Sequence, residues 1–505
     1  ISELANVDVT SVYKRSTPVS EAPAAIYVIT HDEIMSSGAR TLPEILRLAP
    51  NLQVAVINAS SYAITARGFN GNAADKLLVL IDGRSVYSPL FGGVFWDEQD
   101  VPPEDIDRIE VISGPGATLW GANAVNGVIN IITRSAQETP GGVVEADAGN
   151  RGYNGSVQYG GRISDDVALR VFADTLAEPH DKTTLDVAAV DGWSREHGGF
   201  RLDWTPGADA LTVTGDLYHA SEQEAVAAPD LNVLGADLQA NWTHNMGDGS
   251  TLQVLGSYQE SQRYADGVGY WLNAYDAEAQ DSFQWGQRQQ IVLGLGGRIY
   301  QDHFDNAGQV TYQPASSVEA LGDVFAQDTV SLPHQVNLTL GLKAEKDPYS
   351  AVSLLPNVRL AWKPTADALI WAAASRAVRA PTLYDEDLDD VVVPGIIEIT
   401  GNHDFQPEKL TAYEVGTRVQ LARTLSLSVS GYYDVYEDLR SVEYKQLTPL
   451  PIIIEWGNKM FGDVYGVEAW ADFQATDWWR LSAGADLMHE RLRYLPGASP
   501  INTLA

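Results

Sequence analysis

Residues that could carry out chemistry are present in this 505-residue chain, but their types and spacing form no known catalytic pattern. The chain has no cysteine, which excludes thiol nucleophiles, disulfide frameworks and thiolate metal sites. His-Glu-x-x-His and Gly-x-Ser-x-Gly are both missing, and the nine histidines lack the close spacing of a metal-ligand set. We therefore expect a protein that is not an enzyme and that needs no cofactor or metal ion.

An acidic run at residues 384–390, Tyr-Asp-Glu-Asp-Leu-Asp-Asp, comes nearest to a cation site. A calcium loop that began at Asp385 would need Gly at its sixth position and Glu at its twelfth. The chain has Asp390 and Ile396 at those positions. The simplest interpretation is a solvated acidic loop, and a weak contact with Ca²⁺ or a cationic ligand is the alternative.

A glycine-rich loop at residues 114–121 loosely imitates a dinucleotide-binding turn. Its third glycine is misplaced, and Pro115 removes a backbone donor that a pyrophosphate would need. No Gly-Lys-Ser/Thr follows, so a P-loop is also excluded. We interpret these glycines as tight turns in a compact domain.

Charge and hydropathy exclude further classes of protein. The net charge of −34 argues against a nucleic-acid partner, because binding to nucleic acid depends on excess positive charge. No apolar run approaches the roughly 18 residues of a membrane helix. Hydropathy averaged along the chain does not detect a transmembrane β-barrel, because its apolar lipid-facing residues alternate with polar ones.

Two regions of different periodicity must position the functional residues. Residues 1 to about 140 are mixed α/β, and a capping box at Thr41 predicts a short helix that ends at Pro50. Strand-like apolar runs follow at 76–82, 106–113 and 127–133.

After residue 142 the pattern changes to strict alternation. In residues 425–436, for example, apolar side chains alternate with mainly polar ones from Leu425 onward. Short connections alternate with long ones, which favours an outer-membrane β-barrel, although a soluble β-sandwich or propeller would also alternate. We count about 17 strands.

The first region also carries motifs in a recognisable order. They are Arg67-Gly-Phe69, Leu-Val-Leu-Ile-Asp-Gly at 78–83, Asp-Arg-Ile-Glu-Val-Ile-Ser-Gly-Pro-Gly at 107–116, and Leu-Trp-Gly-Ala-Asn-Ala-Val-Asn-Gly-Val-Ile-Asn-Ile-Ile-Thr-Arg at 119–134. Together they closely resemble the plug domain of TonB-dependent outer-membrane receptors. Weaker echoes at 376–383, 410–416 and 465–468 extend the resemblance over nearly the whole chain.

This resemblance implies a transmembrane antiparallel barrel of 22 strands, filled from inside by an N-terminal α/β plug. We expect a coupling segment at residues 1–15, a plug at 16–140 and a barrel at 141–505. About five strands and the usual C-terminal aromatic residue are absent by this count, so the barrel is expected to be incomplete at its C-terminus. The expected location is the bacterial outer membrane, as a monomeric barrel in contact with lipid and lipopolysaccharide.

The coupling segment resembles the TonB box, the stretch that the periplasmic TonB protein grips in this family. Its β-branched residues favour an extended strand that can pair edge-on with a partner sheet. We expect it to lie outside the packing of the plug, and an ordinary frayed N-terminus is the alternative. Its residues are Val7, Asp8, Val9, Thr10, Ser11 and Val12.

The resemblance also implies ion pairs that dock the plug. Arg67 and Arg108 occupy plug positions, and Glu414 and Glu468 occupy the matching barrel positions. Arginine suits such a partly dry site, because its planar fork binds carboxylates in pairs. We expect both arginines within salt-bridge distance of these glutamates, with ordinary lumenal charges as the alternative.

Cargo is expected on the outward loops of the plug, at 57–62, 69–72 and 86–96. The last of these clusters aromatic residues beside glycines, which suits a flat or apolar ligand. The alternative for Phe95 and Trp96 is that they pack the plug against the wall. The expected ligand contacts are Asn58, Ser60, Phe69, Asn70, Tyr87, Phe91 and Trp96.

The resemblance implies TonB-dependent active transport of a scarce nutrient across the outer membrane. Siderophores and other metal chelates are the expected small-molecule ligands, although the sequence does not choose among cargoes. The alternatives are a passive porin-like channel and a surface receptor or adhesin without energy-coupled transport.

Overall fold

The computed structural model describes residues 7–71, 74–182, 187–223, 229–247, 249–265, 268–476 and 478–503. Residues 1–6 of the expected coupling segment and Asn72 of an expected ligand loop lie outside the described residues. Across the part of the chain that is described, no helix has both the length and the apolar character to cross a membrane.

The first region folds into a small α/β domain, which we call the plug. Its main sheet has the order β3-β8-β9-β6-β7, in which β6 and β9 are parallel and the other neighbours antiparallel. Strand β6 is buried along its whole length, as an unbroken apolar run requires. The elements are β1 (Asp8–Val9), β2 (Thr17–Pro18), β3 (Ala25–Thr30), α1 (His31–Ser37), α2 (Leu42–Leu46), β4 (Gln53–Val56), β5 (Tyr62–Thr65), β6 (Leu77–Ile81), β7 (Arg84–Ser85), β8 (Ile106–Ser113), α3 (Ala117–Trp120) and β9 (Gly127–Thr133).

The capping box of the plug begins helix α1, one helix earlier than the sequence suggested. The Glu33 carboxylate accepts from the Thr30 backbone N–H at 2.8 Å, and the Thr30 hydroxyl accepts in return. Helix α2 is shorter than predicted, and Thr41 makes no side-chain cap bond. The Glu44 carboxylate accepts from the Arg40 N–H at 3.0 Å.

The second region forms one continuous sheet, which we call the wall. Within the described residues it has 20 strands, of which β19, β24 and β25 are short pieces inside connections. The other 17 follow one another antiparallel in chain order, so the predicted count of about 17 is confirmed. The elements are β10 (Gly141–Gly149), β11 (Gly152–Arg162), β12 (Val167–Glu178), β13 (Trp193–Trp204), β14 (Asp209–Glu222), β15 (Leu231–Asn245), β16 (Thr251–Ala265), β17 (Val268–Trp285), β18 (Gln289–Asp305), β19 (Val310–Tyr312), β20 (Ser316–Leu332), β21 (Val336–Lys346), β22 (Ser353–Thr365), β23 (Ala368–Arg379), α4 (Leu383–Glu386), β24 (Leu388–Val393), β25 (Ile397–Thr400), β26 (Glu408–Ala422), β27 (Leu425–Gln446), β28 (Ile452–Thr476) and β29 (Trp479–Tyr494).

The wall is inside-out relative to a water-soluble sheet. On β27 the side chains of Ser428, Ser430 and Asp434 are buried against the plug, whereas Tyr433 faces outward and is exposed. Exposed outward residues elsewhere are also apolar, as at Val415 on β26. An apolar outer face with a polar inner face is the pattern of a barrel in lipid.

The two ends of the wall also differ from each other as the two ends of a membrane barrel do. One end has short turns such as 333–335 and 366–367, and the other has long connections such as 380–407. Indole side chains crowd the short-turn end, as the aromatic girdle of a membrane barrel does. They are Trp204, Trp285, Trp362, Trp478 and Trp479. We call the short-turn end the inner end and the other the outer end, since long loops are extracellular in such barrels.

The plug lies within the curve of the wall, because ion pairs reach it from strands all around the sheet. Wall residues in these pairs are Arg170, Arg195, Asp237, Arg263, Glu278, Arg379, Glu414 and Glu468. The strands involved extend from β12 to β28.

Candidate functional site

Arg67 is the central docking residue of the plug. Its side chain is fully buried, and its guanidinium donates from Nη2 to Glu414 Oε1 at 2.9 Å and from Nε to Glu468 Oε1 at 3.1 Å. A third carboxylate, that of Asp434, lies 3.6 Å from Nη1, and the Tyr432 ring lies 4.1 Å from the guanidinium carbon. The structure thus places Arg67 between both glutamates named from the sequence.

Arg108 does not take part in this cluster, contrary to expectation. Its ion pairs are with Asp107 at 2.5 Å and Glu110 at 3.0 Å, both on its own strand. The physical reason is that Glu110 is fully buried on the same face of β8 and requires a nearby cation. The sequence missed Asp434 as a barrel partner, although the alternation of β27 already placed it on the polar side.

A second buried network joins the plug to the outer end of the wall. Lys76 Nζ lies 2.5 Å from Glu408 Oε2, and Arg379 Nε lies 2.9 Å from the same oxygen. Asp75 adds ion pairs with Lys76, Arg379 and Arg440. Burial acts to raise the pKa of Asp75, but these three cations together hold it below its usual value.

The coupling segment is folded against the plug, whereas the sequence suggested that it lies outside. Val9, Ser11 and Val12 are buried, and β1 pairs antiparallel with β2. The reason is that the apolar side chains of this segment join a cluster with Ile26 and Ile112 on the sheet.

Hydrogen bonds hold the coupling segment at Ser11. The Glu110 carboxylate accepts from the N–H groups of Thr10 and Ser11 at 2.9–3.1 Å and from the Ser11 hydroxyl at 2.5 Å. The Trp120 indole donates to the Ser11 carbonyl at 2.9 Å, and the Asn130 amide donates to the Ser11 hydroxyl at 3.2 Å. Arg108 therefore serves the coupling segment indirectly, by neutralising Glu110.

Lys14 fastens the end of the coupling segment to the wall. Its ammonium lies 2.5 Å from Glu278 Oε1, and its carbonyl accepts from the Gln280 amide at 2.9 Å. Burial lowers the pKa of Lys14 from its usual value, and the Glu278 carboxylate acts in the opposite direction. This contact ties the N-terminal segment directly to β17.

A cavity of about 470 Å³ separates one face of the plug from the wall. Asp347 and Tyr349 line it near the outer end, and Leu255 lines it near the inner end of β16. The plug side of the lining includes Thr10 and Lys14. The cavity therefore extends along the depth of the wall to the coupling segment.

Two family models match the chain: the TonB-dependent Receptor Plug Domain over residues 18–128, and the TonB dependent receptor-like, beta-barrel over residues 135–495. The chain belongs to the TonB-dependent receptor family. The predicted fold, a membrane β-barrel with an N-terminal plug in its lumen, and the predicted location in the bacterial outer membrane are confirmed. The family consists of receptors and transporters.

Curated relatives and solved structures agree with this assignment. The vitamin B12 transporter BtuB of Vibrio cholerae is 24% identical over 443 residues, which is 82% of this chain and 67% of the relative. The iron-regulated outer membrane virulence protein of the same species is 24% identical over 455 residues, 83% of this chain and 67% of the relative. The siderophore receptor PirA of Pseudomonas aeruginosa has the same fold, with a TM-score of 0.75, 17% identity and coverage of 92% of this chain and 85% of that one.

The receptor places the expected ligand contacts in different surroundings. Tyr87 lines the large cavity, and its ring packs in a small cluster of the plug. Asn70 is exposed, and Phe69 packs on the Tyr436 ring at 4.8 Å. Phe91 contacts Phe95 edge-on at 4.8 Å.

Three other expected contacts are used within the receptor itself. The Asn58 side chain accepts from the N–H groups of Ser60 and Ser61 and so shapes its own turn. The Ser60 hydroxyl donates to Glu222 of the wall at 2.9 Å. Trp96 lies in the plug core, 6% exposed, which is the packing role considered as its alternative.

The acidic run 384–390 is not a solvated loop at its start. Asp385 is fully buried and receives the Arg379 guanidinium at 2.7 Å, while its carboxylate caps helix α4 through Thr382. Glu386 is also buried and lies 3.5 Å from the His403 ring. The run fixes the outer connection to the wall, because Asp385 provides the anion that Arg379 requires.

Proposed function

We propose that this receptor is an active transporter that takes up a scarce nutrient, with a siderophore or another metal chelate as cargo, when TonB pulls on residues 7–12. One observation carries the proposal: residues Thr10, Lys14, Arg15 and Ser16 form part of the lining of the lumenal cavity. The segment that receives the force and the residues that directly follow it thus line the cavity through which we propose that cargo passes.

The proposed mechanism begins with the release of this segment. The outer membrane has no ATP, so energy comes from the inner membrane, where one charge that crosses ~100 mV provides ~2.3 kcal/mol. TonB pairs edge-on with the extended segment and draws it toward the periplasm. Withdrawal breaks the Lys14–Glu278 pair and the Ser11 contacts, and the cavity then opens at its inner end.

Arg67 keeps the rest of the plug docked during this movement. Its three carboxylates belong to β26, β27 and β28, away from the cavity lining. Breaking one partner of a buried pair costs ~3–5 kcal/mol, and Arg67 has three such carboxylate partners. The plug core therefore stays in place while the N-terminal segment moves.

The proposed class of cargo is taken from the names of relatives. The names of relatives refer to vitamin B12, which is a cobalt chelate, and to siderophores, which bind iron as chelates. The receptor binds its ligand at the outward plug loops and alters no bond in it. Monomeric insertion in outer-membrane lipid, with lipopolysaccharide around the exposed apolar band, belongs to the same proposal.

Deletion of residues 7–12 tests coupled transport. Mass spectrometry of the detergent-extracted receptor first identifies the co-purifying ligand, and its binding and cellular uptake are then measured separately. We expect binding within about twofold of the parent and uptake reduced to background. Uptake that equals the parent's would exclude coupled transport.

Conductance in a planar bilayer separates a gated transporter from a passive channel. We expect little steady current from the parent and discrete openings from Lys14→Ala, because the Lys14–Glu278 pair ties the segment that lines the cavity to the wall. Lys363→Ala is the matched control: its 2.8 Å pair with Glu21 also joins wall to plug, but neither residue lines the cavity. A large steady current through the parent would favour the porin.

A further inference from the structure

A cluster at the seam between plug and wall brings three metal-binding side chains together. One ligating atom from each of Asp100, Asp174 and His197 lies within 4.8 Å of the other two. Asp100 belongs to the plug, whereas Asp174 and His197 face each other in the register of β12 and β13. Among the residues that the structure describes, this is the one such group of three.

The imidazole of His197 lies between two carboxylates and makes a hydrogen bond to each. One ring nitrogen, Nδ1, lies 2.9 Å from Asp174 Oδ2, and the other, Nε2, lies 3.2 Å from Asp216 Oδ1. Two ligands at right angles around an ion, with bonds of ~2.1 Å, are ~3.0 Å apart. A carboxylate on the far nitrogen is the usual partner of a metal-bound histidine.

Asp100 provides an independent indication of a missing ligand. Its side chain is 94% buried, since only 6% is exposed, and its Oδ1 has no hydrogen-bond partner. A buried carboxylate oxygen without a partner is strongly unfavourable. A cation at this position would satisfy it.

The cluster is acidic. Asp100, Asp174 and Asp216 contribute three carboxylates, and Arg195 contributes one guanidinium through its contacts with Asp100 and Asp174. A bound cation would therefore be surrounded by more carboxylates than guanidinium groups. The adjoining cavity of about 50 Å³, lined by Asp100, His197 and Asp216, has room for a water ligand.

We propose that Asp100, Asp174 and His197 form a divalent transition-metal site of the Zn²⁺ or Mn²⁺ class, which clamps the plug to the wall. Imidazole together with carboxylates is the donor set that suits these ions. Arg195 lies on the carboxylate side of this site, in ion pairs with Asp100 and Asp174, and the ion displaces it from them. The site is independent of the identity of the cargo, because all its ligands lie on the seam.

Metal binding to the full chain in detergent tests this site. After treatment with a chelator, the protein is titrated with Co²⁺, whose visible absorption reports coordination, and with Zn²⁺ in competition with a chromophoric chelator. We expect one ion per chain, with affinity reduced at least tenfold in both Asp100→Asn and His197→Gln. The matched control is His219→Gln, which alters an exposed His–Glu pair at 3.1 Å on neighbouring strands.

Thermal unfolding provides a second readout that does not depend on colour. Zn²⁺ is expected to raise the midpoint of the parent and of the control, because a ligand that binds only the folded state stabilises it. Zn²⁺ is expected to leave the unfolding midpoint of Asp100→Asn unchanged, since that substitution removes the plug ligand but keeps the shape of the side chain. Absence of stoichiometric binding by the parent, or equal binding by all variants, would overturn the proposal.

Discussion

The core of the plug and its interface with the wall are both buried, but they are held by different forces. The core is apolar, as in Leu77–Ile81 of β6, whereas the interface combines apolar patches with many buried ion pairs, such as those of Arg67 and Lys14. Apolar packing favours one compact unit, since any opening exposes its surface to water. The ion pairs of the interface can exchange their partners for water without opening the apolar core of the plug.

A charge placed in the plug core should have the largest effect, and it tests whether apolar packing holds the plug together. Val79→Asp places a carboxylate at the centre of β6, where the side chain is 1% exposed. We expect the free energy of unfolding of the plug to fall by more than ~5 kcal/mol, so that protease digests the plug while the wall persists. Val56→Asp, at a site that is 43% exposed, is the control and should resist digestion. An intact plug in Val79→Asp would mean that its core does not hold it together.

Removal of Arg67 tests the interface instead of the core. Arg67→Ala leaves Glu414, Glu468 and Asp434 buried without their cation, and we expect a loss of ~3–5 kcal/mol in plug docking. Urea-dependent release of the plug measures this loss. Arg67→Lys should recover only part of it, because the three donors of an ammonium lie on one atom and cannot match the planar fork that spans Glu414 and Glu468. A loss below ~1 kcal/mol in Arg67→Ala would contradict the docking role.

The coupling segment should respond to a smaller change. Glu110→Gln weakens the charge-assisted bonds to Thr10 and Ser11, and we expect a loss of ~1–3 kcal/mol for this segment. Hydrogen exchange of residues 7–15 should then rise ~10–100-fold, while exchange in β6 stays the same. Equal exchange in parent and variant would show that Glu110 does not hold the segment.

The surface pair of Lys363 and Glu21 is expected to contribute least to plug docking. Glu21 is half exposed, so we expect Lys363→Ala to lower plug docking by no more than ~1 kcal/mol. The same urea assay measures it. A loss as large as that of Arg67→Ala would mean that burial does not distinguish the docking residues.

Much of the fold could be predicted because the signals are local. Alternation along β27 reflects the two-residue period of an extended strand, and it gave both the strand and its lumenal face. The motifs that contain Gly114 and Gly121 indicated the plug, and both glycines have positive φ where a side chain would clash with wall carboxylates. The partnership of Arg67 followed from the same family resemblance.

The partners of individual side chains could not be predicted in the same way. Arg108 and Glu110 lie on one face of β8, and only the folded plug reveals that Glu110 binds the coupling segment. Asp174 and His197 are 23 residues apart and meet through strand register, while Asp100 reaches them from the other domain. Such contacts depend on how two domains dock.

The sequence by itself determined the α/β plug, the alternating wall and the family to which the chain belongs. Those features follow from backbone geometry and from motifs that act over a few residues. Only the tertiary structure decided which carboxylate meets which cation, and that the coupling segment lies folded along the lumenal cavity. The reason is that a buried charge pairs with whichever opposite charge lies close to it in space. Residues hundreds of positions apart in the sequence become neighbours only when the plug docks inside the wall.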